Sequence, residues 1–212
     1  MNNKVRSKNW WDDFWANKTQ DFGPPTQTLL NFAQGFIKNG TGFSSIDIAS
    51  GNGRYAIPLA KMGYQSSALE FSKAGCNRIT QRAETEKVDI QVINNDAITF
   101  CSGKSSFYDV VLSSGLLEET DPKLHGEIAK GLMSITKPGG MNIVKYCLSI
   151  IDRGTLVKKN MIPKLYQEQG WKIVYFEQDN DLRQSQANIN FEKKIQTEMV
   201  VAIKPGLVNE KI

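Results

Sequence analysis

The strongest constraint on the fold is an alternation, beginning at Ser45, between short runs rich in β-branched residues and amphipathic segments of helical length. A strand, a helix and a second parallel strand form a right-handed crossover, and repeated crossovers build a parallel sheet with helices on both faces. The alternation therefore predicts a doubly wound α/β domain. Strands are predicted over residues 45–50, 66–70, 88–94, 107–114 and 140–148, and helices over residues 54–63, 72–84 and 122–136.

Two amphipathic helices are predicted before this core. Trp11, Phe14 and Trp15 recur at the i, i+3, i+4 spacing of one helix face, and residues 26–38 repeat such a pattern. These aromatic side chains could cover a binding site as a lid. Their spacing is explained equally well by packing against the sheet. We expect an N-terminal helical lid.

The C-terminal part of the chain ends the alternation. After a helix near residues 160–169, the segments 171–178 and 197–204 read as strands, and only a polar stretch separates them. Neighbouring strands without a helix between them pair antiparallel. The predicted fold is thus α/β and doubly wound, with a mostly parallel seven-stranded sheet that has an antiparallel edge strand.

The length of the chain and the lack of repeats or linker segments favour a single domain. The chain has 212 residues, without an internal repeat or a Ser/Pro-rich linker, and this length is enough for one large core. Within residues 1–212 we expect a helical cap over 1–40, a cofactor-binding core over 45–150, and a substrate-side helix with strands over 155–205.

The composition of the chain argues against several classes of function. No apolar run approaches the about 18 residues of a membrane span, and the N-terminal segment lacks the apolar core of a signal peptide. Three widely spaced cysteines without a CxxC pair argue against disulfides and against a zinc site. The net charge of +4 comes from scattered lysines rather than from a basic stripe. We expect a cytoplasmic monomer or homodimer without a bound metal, acting on a small molecule rather than on nucleic acid or a membrane.

A glycine-containing turn from Asp47 to Gly53 follows the first predicted strand and precedes a helix. Glycines at positions 51 and 53 allow the backbone to turn sharply and to approach a ligand, and the following helix presents free N–H groups. By itself such a turn is also a plain connection between a strand and a helix.

Acidic residues end the next two predicted strands. Glu70 ends the second strand, where a carboxylate can accept both hydroxyls of an unphosphorylated ribose. Asp96 follows the third strand, where a carboxylate can accept from an adenine amine while the N–H of Ala97 lies beside a ring nitrogen. Because the carboxyl ends of parallel strands meet at one edge of the sheet, we expect one nucleotide-like site there.

The order of these features resembles class I S-adenosylmethionine-dependent methyltransferases. The turn from Asp47 to Gly53 is similar to their first motif, Glu70 to their ribose acid and Asp96 to their adenine contact. Residues 108–111 are similar to their fourth strand, and Lys137–Gly140 to the turn before their fifth. The resemblance implies S-adenosylmethionine as cofactor and S-adenosylhomocysteine as product. The cofactor-binding residues that it implies are Trp11, Trp15, Asp47, Ala49, Ser50, Gly51, Gly53, Glu70, Phe71, Asp96, Ala97 and Ser113.

Within that class the chain is similar to the thiopurine and the tellurite-resistance methyltransferases. Residues 11–15 are similar to the WxxxW opening of the thiopurine group, and residues 165–188 to the tellurite group. Two positions depart from the patterns. Ala49 replaces the first glycine of the usual DxGxGxG, and Arg183-Gln184 stands where the tellurite group has His-Arg, which puts a histidine-dependent chemistry in doubt.

Three residues are candidates for chemistry at the methyl acceptor: Glu118, Tyr146 and Arg183. Glu118 follows the fourth predicted strand and Tyr146 ends the fifth, where an acceptor is expected to bind. Arg183, in the C-terminal loop, is a candidate for binding an anionic substrate. Glu118 and Glu119 are suited to orienting a cationic acceptor, or they are a simple pair of charges at a helix N-terminus.

The sequence therefore predicts an enzyme that transfers a methyl group from S-adenosylmethionine to a small-molecule heteroatom nucleophile by in-line displacement. A thiol, a chalcogen compound and a biosynthetic intermediate are the acceptors considered. Two alternatives stay open. One is an S-adenosylmethionine-consuming cyclase or another sulfonium chemistry on the same fold, and the other is a non-catalytic S-adenosylmethionine-binding protein.

Overall fold

The computed structural model describes residues 5–17, 19, 21–37, 42–150, 153–179, 182–184 and 192–206. Its helices are α1 (Lys8–Ala16), α2 (Gln27–Phe36), α3 (Ala56–Lys61), α4 (Lys73–Glu86), α5 (Ala97–Cys101), α6 (His125–Ile135) and α7 (Met161–Glu168). Its strands are β1 (Ser44–Ile48), β2 (Gln65–Glu70), β3 (Ile90–Asn94), β4 (Tyr108–Ser114), β5 (Thr136–Ile150), β6 (Gly154–Thr155), β7 (Lys172–Asp179), β8 (Leu182–Gln184) and β9 (Glu192–Ile203). Two short 3₁₀ turns, Leu117–Glu119 and Pro122–Leu124, precede α6.

In the part of the chain that the structure describes, seven strands form a sheet in the order β3-β2-β1-β4-β5-β9-β7. Strands β1 to β5 run parallel, whereas β9 runs antiparallel to both of its neighbours, β5 and β7. The short strands β6 and β8 pair with β5 and β9 outside this order. The predicted fold class, a doubly wound α/β fold with a mostly parallel sheet and antiparallel pairing at one edge, is confirmed.

Helices cover both faces of the sheet. Helices α5, α6 and α7 pack on one face around buried residues such as Leu132 and Tyr166. Helices α2 and α3 pack on the other face around Leu29 and Leu59, and α4 lies beside α3 over β2 and β3. The division of residues 1–212 into a cap, a core and a C-terminal part stays a prediction.

Side-chain caps start the two helices that follow β2 and β3. The Ser72 hydroxyl accepts a backbone N–H at the start of α4, and the Asp96 carboxylate accepts one at the start of α5. These caps satisfy N–H groups that have no partner within the helix. Each helix therefore begins directly at the carboxyl edge of the sheet, where the predicted site lies.

Strand β5 differs from its predicted boundaries. It begins at Thr136, before the predicted strand 140–148, and the turn 137–140 is an irregularity inside it. Thr136 already pairs with β4, and regular pairing resumes at Met141. The glycine pair at this turn suggested a strand start, but the strand continues through it.

Candidate functional site

The turn between β1 and α3 has three residues with positive φ. Ala49, Gly51 and Gly53 have φ angles of 60°, 61° and 79°, in the left-handed region that favours glycine. A Cβ atom added to Gly51 would lie 2.5 Å from the ring of Trp15, so a side chain at position 51 would collide with that ring. The backbone of the turn thus lies against a side chain of α1.

Asp47 lies at the base of this turn. Its side chain is 1% exposed and accepts a hydrogen bond of 2.7 Å from the Ser50 hydroxyl. Burial raises the pKa of Asp47 to about 6, although the Ser50 hydrogen bond opposes the rise. Asp47 and Ser50 therefore hold the turn in its conformation.

Glu70 joins the end of β2 to the same turn. The Gly51 N–H donates to Glu70 Oε2 over 2.8 Å, and the Ser72 N–H donates to Oε1 over 2.9 Å. The side chain is 3% exposed, and burial raises the pKa of Glu70 to about 7 despite these two hydrogen bonds. The predicted ribose acid and the predicted glycine turn are thus in direct contact.

The ends of β2 and β3 are tied together next to Glu70. The Asn94 amide donates to the main-chain oxygens of Glu70 and Phe71 over 2.9 and 3.0 Å. Asp96 is exposed, and its Oδ1 accepts the N–H that it caps in α5 over 2.8 Å. Phe71 and Ala97 are half-buried on either side, so the two predicted adenine-side segments lie next to each other.

Helix α1 lies against the start of α4. The Ser72 hydroxyl donates to Asp12 Oδ1 over 2.6 Å, and the Ala74 N–H donates to the same oxygen over 3.3 Å. Trp15 is 4% exposed, and Trp11 stacks on it with 6.1 Å between ring centroids. Sequence reasoning predicted the two tryptophans but missed Asp12, because no local spacing links it to residue 72.

An ion cluster connects the segment before α1 with the ends of β4 and β5. Arg6 Nη1 donates to Glu119 Oε1 over 3.0 Å, and Arg153 Nη1 donates to the same oxygen. Arg153 Nη2 also donates to the main-chain oxygen of Glu118 over 3.1 Å. We call Arg6, Glu119 and Arg153 the arginine cluster; sequence reasoning found neither arginine, since they are 147 residues apart along the chain.

Glu118 lies beside Cys147 at the end of β5. Its Oε2 is buried and has no hydrogen-bond partner among the described residues. Burial raises the pKa of Glu118 to about 7, although hydrogen bonds from its own backbone and from the Cys147 thiol oppose the rise. Burial and Glu118 together raise the pKa of Cys147. Ser113, also buried, is the last residue but one of β4.

Tyr146 occupies a different environment from Glu118. It is 1% exposed, and its hydroxyl donates to Glu198 Oε2 over 2.6 Å. Glu198 also accepts the backbone N–H of Asn160. The hydroxyl of Tyr146 is therefore engaged inside the protein, and its predicted catalytic role stays a prediction. Arg183 lies on β8, opposite Lys193, and its side chain is outside the described part of the chain.

Sequence reasoning also missed a set of hydrogen-bonded polar side chains near the end of β5. Lys145 Nζ donates to the Thr26 hydroxyl over 3.4 Å, and the Thr26 N–H donates to the Tyr55 hydroxyl over 3.3 Å. Tyr55 is 2% exposed and lies at the start of α3. These residues join α2, α3 and β5 beside the glycine turn.

Two negative findings concern the described residues alone. Within the ranges given above, no group of three or more His, Cys, Asp or Glu residues is placed to hold a metal ion. Among the helices described, none combines the length and the apolar character needed to cross a membrane.

Residues 46–140 match a protein family described as a methyltransferase domain. The matched segment runs from β1 to the turn inside β5, and it contains the glycine turn, Glu70, Asp96 and Glu118.

Two curated relatives and one solved structure are similar to the chain. Demethylmenaquinone methyltransferase of Renibacterium salmoninarum is 32% identical over 47% of this chain and 39% of the relative. Ubiquinone biosynthesis O-methyltransferase of Caulobacter vibrioides is 27% identical over 49% of this chain and 40% of the relative. The chain thus spans about two fifths of the length of these relatives. Magnesium protoporphyrin IX methyltransferase from Synechocystis, solved with bound SAM, has a TM-score of 0.67 at 15% identity, covering 96% of this chain and 100% of that chain; at this identity the likeness shows the fold alone.

Proposed function

Because residues 46–140 match a family described as a methyltransferase domain, we propose that this chain transfers a methyl group from S-adenosylmethionine to a heteroatom nucleophile of a small molecule. The names of the two curated relatives refer to quinone biosynthesis, which supports a small-molecule acceptor. The observation that carries the proposal is the contact of Glu70 with the glycine turn.

The residues at this contact fit an adenosyl ligand. Each carboxylate oxygen of Glu70 accepts one backbone N–H, which leaves each oxygen a further lone pair for a ribose hydroxyl. An acid at this position favours an unphosphorylated ribose. The absence of a Cβ at Gly51 and Gly53 lets Trp15 and Ile57 pack closely on the turn, and both glycines adopt the positive φ that the turn requires. Asp96 is exposed and retains acceptor capacity for an adenine amine.

The N-terminal helix closes one side of the same region. Trp15 lies on Gly51, and Asp12 holds α1 to the start of α4. Aromatic rings at this position exclude water from the space above the glycine turn, and exclusion of water strengthens the polar contacts that hold a ligand. We assign Trp11 and Trp15 to this covering role.

Glu118 is our candidate for the group that takes a proton from the acceptor. When bound, S-adenosylmethionine supplies an electrophilic methyl group, whose transfer leaves the bonding electron pair on sulfur. A hydroxyl or ammonium acceptor must lose a proton, and a carboxylate with a pKa near 7 can accept it at neutral pH. The buried Oε2 of Glu118 has this capacity and no described partner. We assign Tyr146 to positioning Glu198, and Arg183 stays a candidate for substrate binding.

Replacing Glu70 tests the cofactor site. We expect Glu70→Ala to weaken S-adenosylmethionine binding at least tenfold, which corresponds to about 1.4 kcal/mol, because the ribose hydroxyls lose their acceptor. Glu70→Gln serves as a second variant of nearly the same shape. Titration calorimetry measures both, and Glu84→Ala, an exposed change on α4, is the matched control.

An unchanged dissociation constant in both Glu70 variants would refute the assignment of this residue.

Product analysis tests the reaction itself. Incubation with a panel of thiols and phenols is expected to release S-adenosylhomocysteine, detected by chromatography. Release of methylthioadenosine in its place would contradict methyl transfer.

A further inference from the structure

The arginine cluster contains more positive than negative charge. Arg6 and Arg153 both bind one carboxylate, that of Glu119. One carboxylate balances one of the two guanidinium groups, so these three side chains together carry one net positive charge. The side chains of Arg6, Arg153 and Glu119 are only 32%, 18% and 13% exposed, and solvent therefore screens this charge incompletely.

Among the described residues, the carboxyl group besides Glu119 that acts on Arg6 is that of Glu118. Burial raises the pKa of Glu118 to about 7, so a substantial fraction of its carboxyl group is neutral at neutral pH and it supplies only part of a negative charge. Lys145 lies near enough to act electrostatically on Cys147, beside Glu118, and adds a further cation. Burial is the first cause that lowers the pKa of Arg6, and Arg153 lowers it further, whereas the charges of Glu119 and Glu118 oppose this lowering.

The cluster lies where the proposed reaction needs its acceptor. Glu119 belongs to the 3₁₀ turn after β4, and Arg153 directly precedes β6 after the end of β5. Arg6 precedes α1, the helix that covers the glycine turn. Guanidinium groups have paired N–H donors that match the two oxygens of a carboxylate. Each arginine donates through only some of its N–H groups in the bonds described above.

We propose that the methyl acceptor carries a carboxylate or a similarly compact anionic group, and that Arg6 and Arg153 bind this group beside Glu118. The inference rests on the proposed methyl transfer and specifies its substrate class. It replaces the expectation that the two glutamates orient a cationic acceptor, since two arginines engage Glu119. Because Arg6 stacks on Trp10 at 4.3 Å, binding of the anion also adds a contact between the acceptor and the segment that leads into α1.

Binding of simple aromatic anions tests the proposal. The full chain is titrated by calorimetry in the presence of saturating S-adenosylhomocysteine. Salicylate and phenylphosphate are the anionic probes, and salicylamide and phenol are their neutral counterparts. We expect each anion to bind at least about tenfold more tightly than its neutral counterpart, because only the anions can use both guanidinium groups.

Three arginine variants locate the effect. Arg6→Gln and Arg153→Gln are each expected to weaken salicylate binding roughly fivefold or more and to leave salicylamide binding unchanged. Arg153→Lys keeps the charge and should restore part of the affinity; it also replaces Arg153→Gln should that variant fail to fold. Lys130→Gln removes an exposed cation of α6 and should change neither probe.

The outcomes separate this inference from the proposed function. Failure of S-adenosylhomocysteine to bind would count against the methyltransferase proposal. Normal binding of S-adenosylhomocysteine would overturn the present inference in either of two cases. In the first case, neither anion binds or each binds no better than its neutral counterpart; in the second, the arginine variants retain full affinity for salicylate.

Discussion

Ala49 has a side chain at a backbone position that favours glycine. Its φ of 60° brings Cβ close to the following carbonyl oxygen, a conformation that costs roughly 1–2 kcal/mol for L-residues. The neighbouring Gly51 and Gly53 adopt similar angles without this cost. The turn is therefore strained at one residue.

Replacing Ala49 by glycine should relieve this strain. We expect Ala49→Gly to raise the free energy of unfolding by about 0.5–1 kcal/mol, because relief of strain exceeds the added entropy of the unfolded chain. Urea unfolding measures the change. Ala60→Gly, the same substitution inside helix α3, should lower stability by about 1 kcal/mol. A loss of stability in Ala49→Gly would contradict the argument.

Sequence order was enough to predict that Glu70 and the glycine turn lie at the same edge of the sheet, because both come at the ends of neighbouring parallel strands. It was not enough for Asp12 or for Arg6. Asp12 contacts Ser72 across 60 positions, and Arg6 contacts Glu119 across 113. Contacts of this kind depend on how the N-terminal segment crosses the finished sheet edge, and no spacing within a segment encodes that path.

At the scale of elements, Asp12 joins α1 to the start of α4. Its carboxylate accepts from the Ser72 hydroxyl and the Ala74 N–H, so it satisfies a backbone group that α4 itself leaves unpaired. The Ser72 hydrogen bond is the main cause that lowers the pKa of Asp12. The docking of α1 thus depends on an ionised side chain.

Removing this carboxylate should loosen the junction of the two helices. We expect Asp12→Ala to lower the free energy of unfolding by about 1 kcal/mol at pH 7, the usual value of a lost cap. Since the pKa is lowered in the folded state, this contribution disappears as the pH falls below about 3.8. Urea unfolding of Asp12→Ala and of the original chain, at pH 7 and at a pH below about 3.8, tests this pH dependence.

The adjacent Asp13 provides the control. Asp13 is exposed, and Asp13→Ala should change stability by no more than about 0.5 kcal/mol. Equal effects of the two substitutions would mean that the contact with α4 does not stabilise the helix pair.

The elements themselves were largely predictable, and their arrangement at one edge was not. Hydrophobic periodicity predicted α1, α2 and the alternation from β1 to β5, because each element buries one face or one stripe. It also predicted that β7 and β9 pair antiparallel. The insertion of β9 between β5 and β7 has no signal within either strand, since any of these strands offers a similar apolar pattern to its neighbours.

At the scale of the whole molecule, three buried carboxyl groups bind protons more tightly than usual. Burial is the first cause that raises the pKa of Asp47 to about 6 and those of Glu70 and Glu118 to about 7. All three lie at the carboxyl edge of the sheet: Asp47 and Glu70 are in the last residues of β1 and β2, and Glu118 follows β4. The fold therefore keeps partly protonated carboxyl groups near neutral pH at the candidate site.

These groups should make the protein less stable as the pH rises toward neutrality. These three carboxyl groups hold more protons in the folded state than in the unfolded state between about pH 4 and 7, so their contribution to the free energy of unfolding falls across this range. We expect Glu118→Gln to match the original chain at pH 5 and to exceed its stability at pH 7.5, on the order of 2 kcal/mol. Urea unfolding at the two pH values measures the difference.

Glu127→Gln, an exposed change in the first turn of α6, is the control and should not alter the pH dependence. If the free energy of unfolding of Glu118→Gln changes with pH in parallel with that of the original chain, the pKa of Glu118 is not raised in the folded protein. The carboxyl groups with lowered pKa, among them Asp12 and Asp109, act below about pH 3.8. Burial lowers the pKa of His125, but this residue is present in both chains and its contribution cancels in the comparison.

The position of β9 has a consequence for synthesis of the chain. Strands β5 and β7 leave the ribosome before β9, yet each pairs with β9 rather than with the other. Until residues 192–203 emerge, the facing edges of these two strands have no partner, and unpaired strand edges invite association with other nascent chains. Protection by chaperones is therefore most valuable in the interval between translation of β7 and translation of β9.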